Sequence, residues 1–175
     1  MAGYSGTPLA QKLGLKPGAR FGSFAAPKNL GLRLGTLPQG VTLTDAARGA
    51  SALDVILCFA TSRAELVRLL PRARKRLDPN GGLWICWPKK ASGVTTDVTE
   101  ADVRKLGLDT GLVDNKVCAI DEIWSGLRMV VRVGDRPSAA RSPRPDPVPR
   151  VTAGSATAKT SGKTGTRRAR SPRKI

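Results

Sequence analysis

The sequence contains no histidine, and this absence excludes several kinds of catalytic site. Without histidine there is no Ser–His or Cys–His pair to activate a nucleophile. The sequence also lacks a Walker A motif and any Cys-x-x-Cys spacing. With three cysteines and no histidine, a zinc site would need a fourth ligand from Asp or Glu. We predict no metal site and no cofactor from these absences.

Cysteines are few and long hydrophobic runs are missing. Cys58, Cys86 and Cys118 are odd in number, widely spaced and each set in an apolar run, which is typical of reduced, buried thiols. No apolar stretch reaches the roughly 18 residues that a membrane-spanning helix needs, and the N-terminal residues show no signal-peptide pattern. We therefore expect a cytoplasmic protein without membrane contact.

Acidic residues are also scarce, because 30 Lys and Arg face 13 Asp and Glu, giving a formal charge of +17. Residues 135–175 hold eleven of the cations and two Asp, a net +9. This segment is rich in Ser, Pro, Ala, Thr and Gly and has almost nothing to bury, which predicts disorder. We expect an α/β domain over residues 1–133 and a disordered basic tail over residues 134–175.

The tail is expected to contact nucleic acid without sequence preference. A basic segment binds phosphate backbones by releasing counterions, and this one has no aromatic side chain to stack on bases. The alternative is a tail that only keeps the protein soluble. The cations that we expect to make the contact lie near its end: Lys163, Arg167, Arg168, Arg170, Arg173 and Lys174.

The body alternates short apolar segments of strand and helix character. The continuous apolar runs LDVILCFA (53–60) and LWICW (83–87) predict strands that are covered on both faces. Between them, Ser62 and Glu65 form a capping-box signal for a long basic helix, in which Pro71 predicts a kink. The turn DPNGG then precedes the second of these strands. Weaker signals predict short helices in TPLAQKLGL, with Thr7 as N-cap and Pro8 as N1, and in PKNLGLRLGTL, and strands in ARFGSFAA and GVTLTDA.

The C-terminal part of the body predicts one more helix and a hairpin. Thr99 is the expected cap of a helix in TEADVRKLGL. The segment NKVCAIDEIWSGLRMVVRV alternates on both sides of WSG, which indicates a β-hairpin that turns at Ser125 and Gly126. Together these elements predict an α/β fold: a small three-layer, Rossmann-like, mostly parallel sheet that ends in an antiparallel hairpin.

This order of elements resembles the second half of a class I methyltransferase, in which a strand, a long helix and a Gly-Gly turn lead into the next strand. The resemblance implies a glycine-rich turn after the first strand and an acidic residue at the end of the second. The first strand instead leads into FAAPKNLGLRLG, which contains no GxGxG or GxGxxG. Asp45 is the acidic residue near the end of the second strand.

Three longer motifs carry a second resemblance. GYSGTPLAQKLGLKPG, GGLWICWPKKASGVTTDVTE and GLVDNKVCAIDEIWSGLRMVVR, spanning about residues 3–133, resemble an uncharacterised bacterial family, domain of unknown function 3052. The resemblance implies a small cytosolic α/β protein and brings no reaction, cofactor or partner with it.

The first candidate site is the loop that follows LWICW, because open α/β sheets bind ligands beyond the carboxyl ends of their strands. Its ammonium and hydroxyl groups suit an anionic small molecule; the alternative is a solvated loop. The expected ligand-binding residues are Lys89, Lys90, Ser92, Thr95, Thr96 and Asp97.

The second candidate site is Asp121 with Trp124, in the predicted hairpin. General acid–base chemistry would fall to carboxylates such as Asp121 and Glu122, since histidine is absent. The simpler interpretation is that the two carboxylates flank a turn in water and that Trp124 packs in the core.

Two functional hypotheses follow. The favoured one is a non-catalytic binding or regulatory protein that uses the sheet for an anion or a partner protein, with a tail that contacts nucleic acid. The alternative is a transferase with an unorthodox pocket for S-adenosylmethionine or a nucleotide. The missing glycine-rich turn and the missing histidine favour the first, and we lean against catalysis.

Overall fold

The structure is a computed structural model that describes residues 6–137. The helices are α1 (Leu9–Lys12), α2 (Leu30–Leu34), α3 (Arg63–Arg76) and α4 (Glu100–Asp109). The strands are β1 (Phe21–Phe24), β2 (Leu43–Asp45), β3 (Leu53–Phe59), β4 (Leu77–Pro88), β5 (Leu112–Ala119) and β6 (Trp124–Val131). Single 3₁₀ turns follow β4 and β6, at Lys90–Ser92 and Val133–Asp135.

The six strands form one mixed sheet in the order β2-β1-β3-β4-β6-β5. The first four are parallel, and β6 runs antiparallel to both β4 and β5. The chain moves outward from β1 to β2 on one side and from β3 to β4 on the other. The strand order therefore reverses between β1 and β3, which is where open α/β sheets form a ligand crevice. The predicted fold class is confirmed.

Helices cover both faces of the sheet and give it three layers. On one face α1 and α2 bury Leu13 and Leu30 against alternate residues of β3 and β4, including Leu57 and Trp84. On the other face the helices α3 and α4 pack over the remaining residues of the same strands, such as Ile56. Because the central strands are covered twice, their sequences are apolar at nearly every position.

The two longer helices begin where their caps predict. The Ser62 side chain accepts a hydrogen bond from the Glu65 backbone N–H (3.2 Å), while a Glu65 carboxylate oxygen accepts one from the Thr61 backbone N–H (3.0 Å). Thr99 and Asp102 form a complete capping box at the start of α4. The apolar stripe of α3 is buried, and Pro71 lies inside the helix on its exposed side.

Three local predictions are wrong. The DPNGG turn is part of β4, although pairing with β3 jumps from Leu53–Leu77 to Val55–Gly82, so the residues between are out of register. The hairpin turns at residues 120–123 rather than at Ser125 and Gly126, which lie inside β6. Pro8, not Thr7, is the N-cap residue of α1, and no side chain caps this short helix.

Within residues 6–137, no helix is long and apolar enough to cross a membrane. The expected tail, residues 134–175, lies almost wholly outside the described part of the chain, so its disorder stays a prediction.

Candidate functional site

The two predicted sites lie side by side at the end of the sheet where the parallel strands have their carboxyl ends. Parallel strands present their carboxyl ends together, and Trp124 at the start of β6 pairs with Pro88 at the end of β4. The Lys89 backbone N–H donates to the Ile123 carbonyl (2.7 Å), and the Lys89 ammonium donates to the Asp121 carbonyl (2.6 Å). The structure thus brings Lys89, Asp121 and Trp124 into one neighbourhood and gives Lys89 a structural role at the hairpin turn.

The rest of the first predicted site bonds mainly to nearby backbone. The Ser92 hydroxyl donates to the Lys89 carbonyl (2.6 Å), and the Thr96 hydroxyl accepts from the Val98 backbone N–H (3.1 Å). Asp97 accepts from the Arg63 backbone N–H (2.7 Å) in the first turn of α3. These contacts hold the loop in shape.

Lys90 and Thr95 are exposed, as is Asp97. Anion binding by this loop stays a prediction.

Asp121 is buried, which corrects the expectation that it lies in water. One of its carboxylate oxygens accepts hydrogen bonds from the backbone N–H groups of Ile123 (2.7 Å) and Trp124 (2.8 Å). The other lies 3.2 Å from Nε of Arg33 on α2. Glu122, which is exposed as expected, lies 2.6 Å from another nitrogen of the same guanidinium. The turn is therefore folded around the Asp121 carboxylate.

Trp124 is a core residue, as the simpler interpretation had it. Its ring meets Phe59 at the end of β3 edge to face, with 5.0 Å between ring centroids and an interplanar angle of 87°. Only 9% of the residue is exposed. Its position at the carboxyl edge comes from packing, and it offers little surface to a ligand.

Arg33 was missed by the sequence analysis, although it lines a cleft at this end of the sheet. A cleft of about 590 Å³ lies between the start of α1, the helix α2 and the hairpin turn. Its polar lining includes Lys12, Asn29, Arg33 and Glu122. The only sequence signal was an arginine in an otherwise apolar helix, which by itself predicts a solvated side chain.

The crevice between β1 and β3 has features that suit a nucleoside cofactor. Ala25, immediately after β1, has φ of +49° and is the only non-glycine residue at positive φ within residues 6–137. This left-handed conformation is costly for alanine and is found most often at functional sites. Ala25 and Ala26 are both exposed, so the backbone here is open to a ligand.

Asp45 ends β2 directly beside β1, where it pairs in register with Ser23. Its carboxylate is exposed, with one oxygen accepting from the Ala47 backbone N–H (2.9 Å) and the other 3.5 Å from Arg48. A carboxylate at this position has capacity left to bind sugar hydroxyls. The glycine-rich sequence is absent, but an open left-handed turn and a strand-end acid are both present.

Burial raises the pKa values of all three thiols, so none of them is an activated nucleophile. The pKa of Cys58 rises to about 12, and those of Cys86 and Cys118 also rise. Cys58 and Cys86 are buried as expected, whereas Cys118 is partly exposed. Among residues 6–137 there is no cluster of His, Cys, Asp and Glu side chains that could hold a metal ion. The predicted nucleic-acid-contacting residues, Lys163 to Lys174, lie outside the described part of the chain.

No model of a known protein family matches the chain, and no curated protein sequence matches it. Solved structures do match. Precorrin-6y C5,15-methyltransferase from Geobacter metallireducens is 11% identical with a TM-score of 0.51, over 71% of this chain and 86% of that one. Mitomycin 7-O-methyltransferase is 12% identical with a TM-score of 0.52, over 71% and 53%.

The magnesium protoporphyrin IX methyltransferase of Synechocystis, solved with bound SAH, is 16% identical with a TM-score of 0.41, over 59% of this chain and 56% of that one. The chain therefore spans little more than half the length of this enzyme and of the mitomycin enzyme.

These comparisons correct the functional expectation. We expected a non-catalytic binding protein and leaned against an enzyme, whereas the precorrin-6y and mitomycin enzymes, with TM-scores above 0.5, are methyltransferases. The finding favours the alternative, a transferase that uses S-adenosylmethionine or a nucleotide. At 11–12% identity the likeness shows a methyltransferase-like fold. The activity belongs to the proposal that follows.

Proposed function

We propose that this protein is a transferase that binds S-adenosylmethionine in the crevice between the carboxyl ends of β1 and β3. The observation that carries the proposal is the reversal of strand order at this point, with the left-handed Ala25 on one side and Asp45 at the neighbouring strand end. Such a reversal leaves the loops after the two strands splayed apart, and a ligand fits between them.

The residues at the crevice have distinct roles. The Asp45 carboxylate accepts hydrogen bonds from the two ribose hydroxyls. The exposed backbone of Ala25 and Ala26 lets the ligand approach β1 closely, which is the task that glycines perform in other nucleotide-binding turns. When bound, S-adenosylmethionine would supply a methyl group activated on its sulfonium.

Isothermal titration calorimetry with S-adenosylmethionine and with SAH tests the proposal. Asp45→Asn should weaken binding about tenfold or more, because a hydrogen bond to a charged group contributes roughly 1.5–3 kcal/mol. Asp109→Asn is the matched control, since Asp109 is an exposed carboxylate at the end of α4, near the opposite edge of the sheet.

A second measurement, of the melting temperature, applies even if the heat of binding is too small to detect. A ligand present at about 100 times its Kd stabilises the native state by roughly 2.7 kcal/mol, so the melting temperature must rise. If millimolar S-adenosylmethionine and SAH leave the melting temperature of the full chain unchanged, the proposal is wrong.

Family membership and cellular location are also proposals. The three motifs over residues 3–133 support membership of the domain of unknown function 3052 family. Three cysteines without a disulfide partner in the described domain support a reducing, cytoplasmic location. Mass spectrometry of alkylated protein from cells tests this location: a disulfide between any two of the three thiols would contradict it.

For the tail, we propose non-specific contact with nucleic acid. Its support is the net +9 charge of residues 135–175 and the absence of aromatic residues there. Affinity of the full chain for duplex DNA should fall steeply as salt rises. A chain that ends at Pro137 should lose most of this binding. If both chains bind equally well at each salt concentration, the tail has no such role.

A further inference from the structure

The cleft between α1, α2 and the hairpin turn contains an arginine that is held in place by one carboxylate and covered by another. Asp121 is 5% exposed and lies 3.2 Å from Nε of Arg33. The Glu122 side chain is 67% exposed, yet it makes the shorter contact, 2.6 Å to a terminal nitrogen of the same guanidinium. The buried acid is fixed in position, while the exposed acid sits at the end of a flexible side chain.

The two carboxylates differ in how easily they can leave. Asp121 is anchored by two backbone hydrogen bonds within its own turn and cannot move without unfolding that turn. Glu122 pairs with Arg33 at the surface, and an exposed ion pair of this kind is worth only a fraction of a kcal/mol to about 1 kcal/mol. An incoming carboxylate can therefore replace Glu122 on Arg33 at little cost.

We infer that this cleft is a binding site for small organic carboxylates, with Arg33 as the anion-binding residue and Glu122 as a built-in competitor. Asp121 holds the guanidinium through Nε, Arg33 lines the cleft, and a planar guanidinium suits two-point binding of a carboxylate. Lys12 lies in the same lining and adds positive charge.

The size and the apolar lining of the cleft define the rest of the ligand. Its volume of about 590 Å³ falls within the range of small-molecule sites, roughly 300–1,000 Å³. Leu9, Leu32 and Ile120 supply apolar surface, and Leu32 is 88% exposed. A carboxylate attached to an apolar or aromatic body fits both parts of this lining.

The site also borders the proposed cofactor crevice, because Asn29 of the cleft lies at the end of the loop that follows β1. An aromatic or aliphatic carboxylic acid is therefore the class of methyl acceptor that this geometry suggests. That assignment rests on the proposed function, whereas binding of the carboxylate does not. Titrating the carboxylate in the absence of S-adenosylmethionine keeps the two apart.

The test uses phenylacetate as the probe and the full chain labelled with ¹⁵N. Phenylacetate should give saturable shifts in the amide signals of α2 and of residues 120–123. Glu122→Gln should tighten its Kd about two- to fivefold, because the variant loses the competing charge. Arg33→Gln should weaken binding at least tenfold, and the neutral analogue phenylacetamide should bind equally weakly to the parent protein.

Glu100→Gln is the matched control, since Glu100 pairs with Arg104 on the surface of α4, on the other face of the sheet. It should leave the Kd of phenylacetate unchanged. The Glu122→Gln variant decides the question even if Arg33→Gln does not fold, because Glu122 is exposed. If Glu122→Gln weakens phenylacetate binding or leaves it unaltered, or if benzylamine binds this cleft better than phenylacetate does, the inference is overturned.

Discussion

Removing the Asp121 carboxylate should cost more stability than any other single change in the hairpin turn. In Asp121→Ala, the backbone N–H groups of Ile123 and Trp124 lose their acceptor, and Arg33 loses its buried partner. Hydrogen bonds to a charged acceptor contribute roughly 1.5–3 kcal/mol each. Ile123 is half-buried and Trp124 is buried, so water should replace the lost acceptor more readily at Ile123 and recover part of the loss. We expect a cost of about 3–4 kcal/mol.

Two further variants divide this cost into its parts. Asp121→Asn keeps an oxygen for the backbone N–H groups and removes only the charge that faces Arg33, so its cost should be about 1–2 kcal/mol. Glu122→Gln removes an ion pair whose carboxylate is 67% exposed. Its cost should be at most about 1 kcal/mol.

Urea unfolding followed by tryptophan fluorescence measures all three variants on one scale. The slope of free energy against urea concentration should stay constant, so that midpoint shifts report stability alone. The reasoning is refuted if Asp121→Ala costs no more than Glu122→Gln. That result would mean that the buried carboxylate does not organise the turn.

Three other changes follow from single contacts. Lys89→Ala should lower stability by about 1 kcal/mol, because its ammonium caps the hairpin turn, whereas Lys90→Ala should leave stability unchanged and weaken any phosphate binding measured by calorimetry. Gly81→Ala should cost about 1–3 kcal/mol in urea unfolding, since a Cβ there would lie 2.6 Å from a backbone oxygen. Gly107→Ala should cost less, because its Cβ would meet a flexible methionine side chain rather than backbone. Cys118 should be the one thiol that reacts with a disulfide reagent in the native protein near pH 8, because it is partly exposed. Cys118→Ser should abolish that reaction. Rapid reaction of all three thiols would contradict the burial of Cys58 and Cys86.

The central strands and the long helices were predictable because their causes are local. The continuous apolar run that gives β3 follows from helices on both faces, and the residues that cap α3 and α4 stand next to the turns that they close. Each of these signals spans fewer than about 15 residues and competes with no other pattern.

The hairpin turn was predicted at Ser125 and Gly126, whereas the chain turns at residues 120–123. Ser125 and Gly126 have turn propensity, but Gly126 serves a different purpose. A Cβ on Gly126 would lie 2.9 Å from the Ile120 side chain and 3.3 Å from Trp84. The glycine lets these side chains pack against the β6 backbone. Tertiary packing and the buried Asp121 carboxylate select the turn.

The cleft could not be predicted because its parts are far apart in sequence. Arg33 and Asp121 lie 88 positions apart in the sequence, and neither residue belongs to a recognisable motif. They meet because α2 packs on the face of the sheet that also carries the hairpin turn: Leu30 and Leu34 share a hydrophobic cluster with Ile120 and Trp124. From sequence alone, an isolated arginine and a turn aspartate are each expected to be solvent-exposed. In the fold, Asp121 is buried and lies 3.2 Å from Arg33.

The absence of a glycine-rich motif also weighed too heavily in the functional hypothesis. Glycine is the usual residue at positive φ because it lacks a Cβ, but a small residue can take that conformation when the surroundings offset a cost of roughly 1–2 kcal/mol. Ala25 does so at the end of β1. A missing sequence motif therefore argues against one way of building a nucleotide-binding turn. It does not argue against the proposed crevice, which is supported by the strand-order reversal and by the backbone conformation that follows β1.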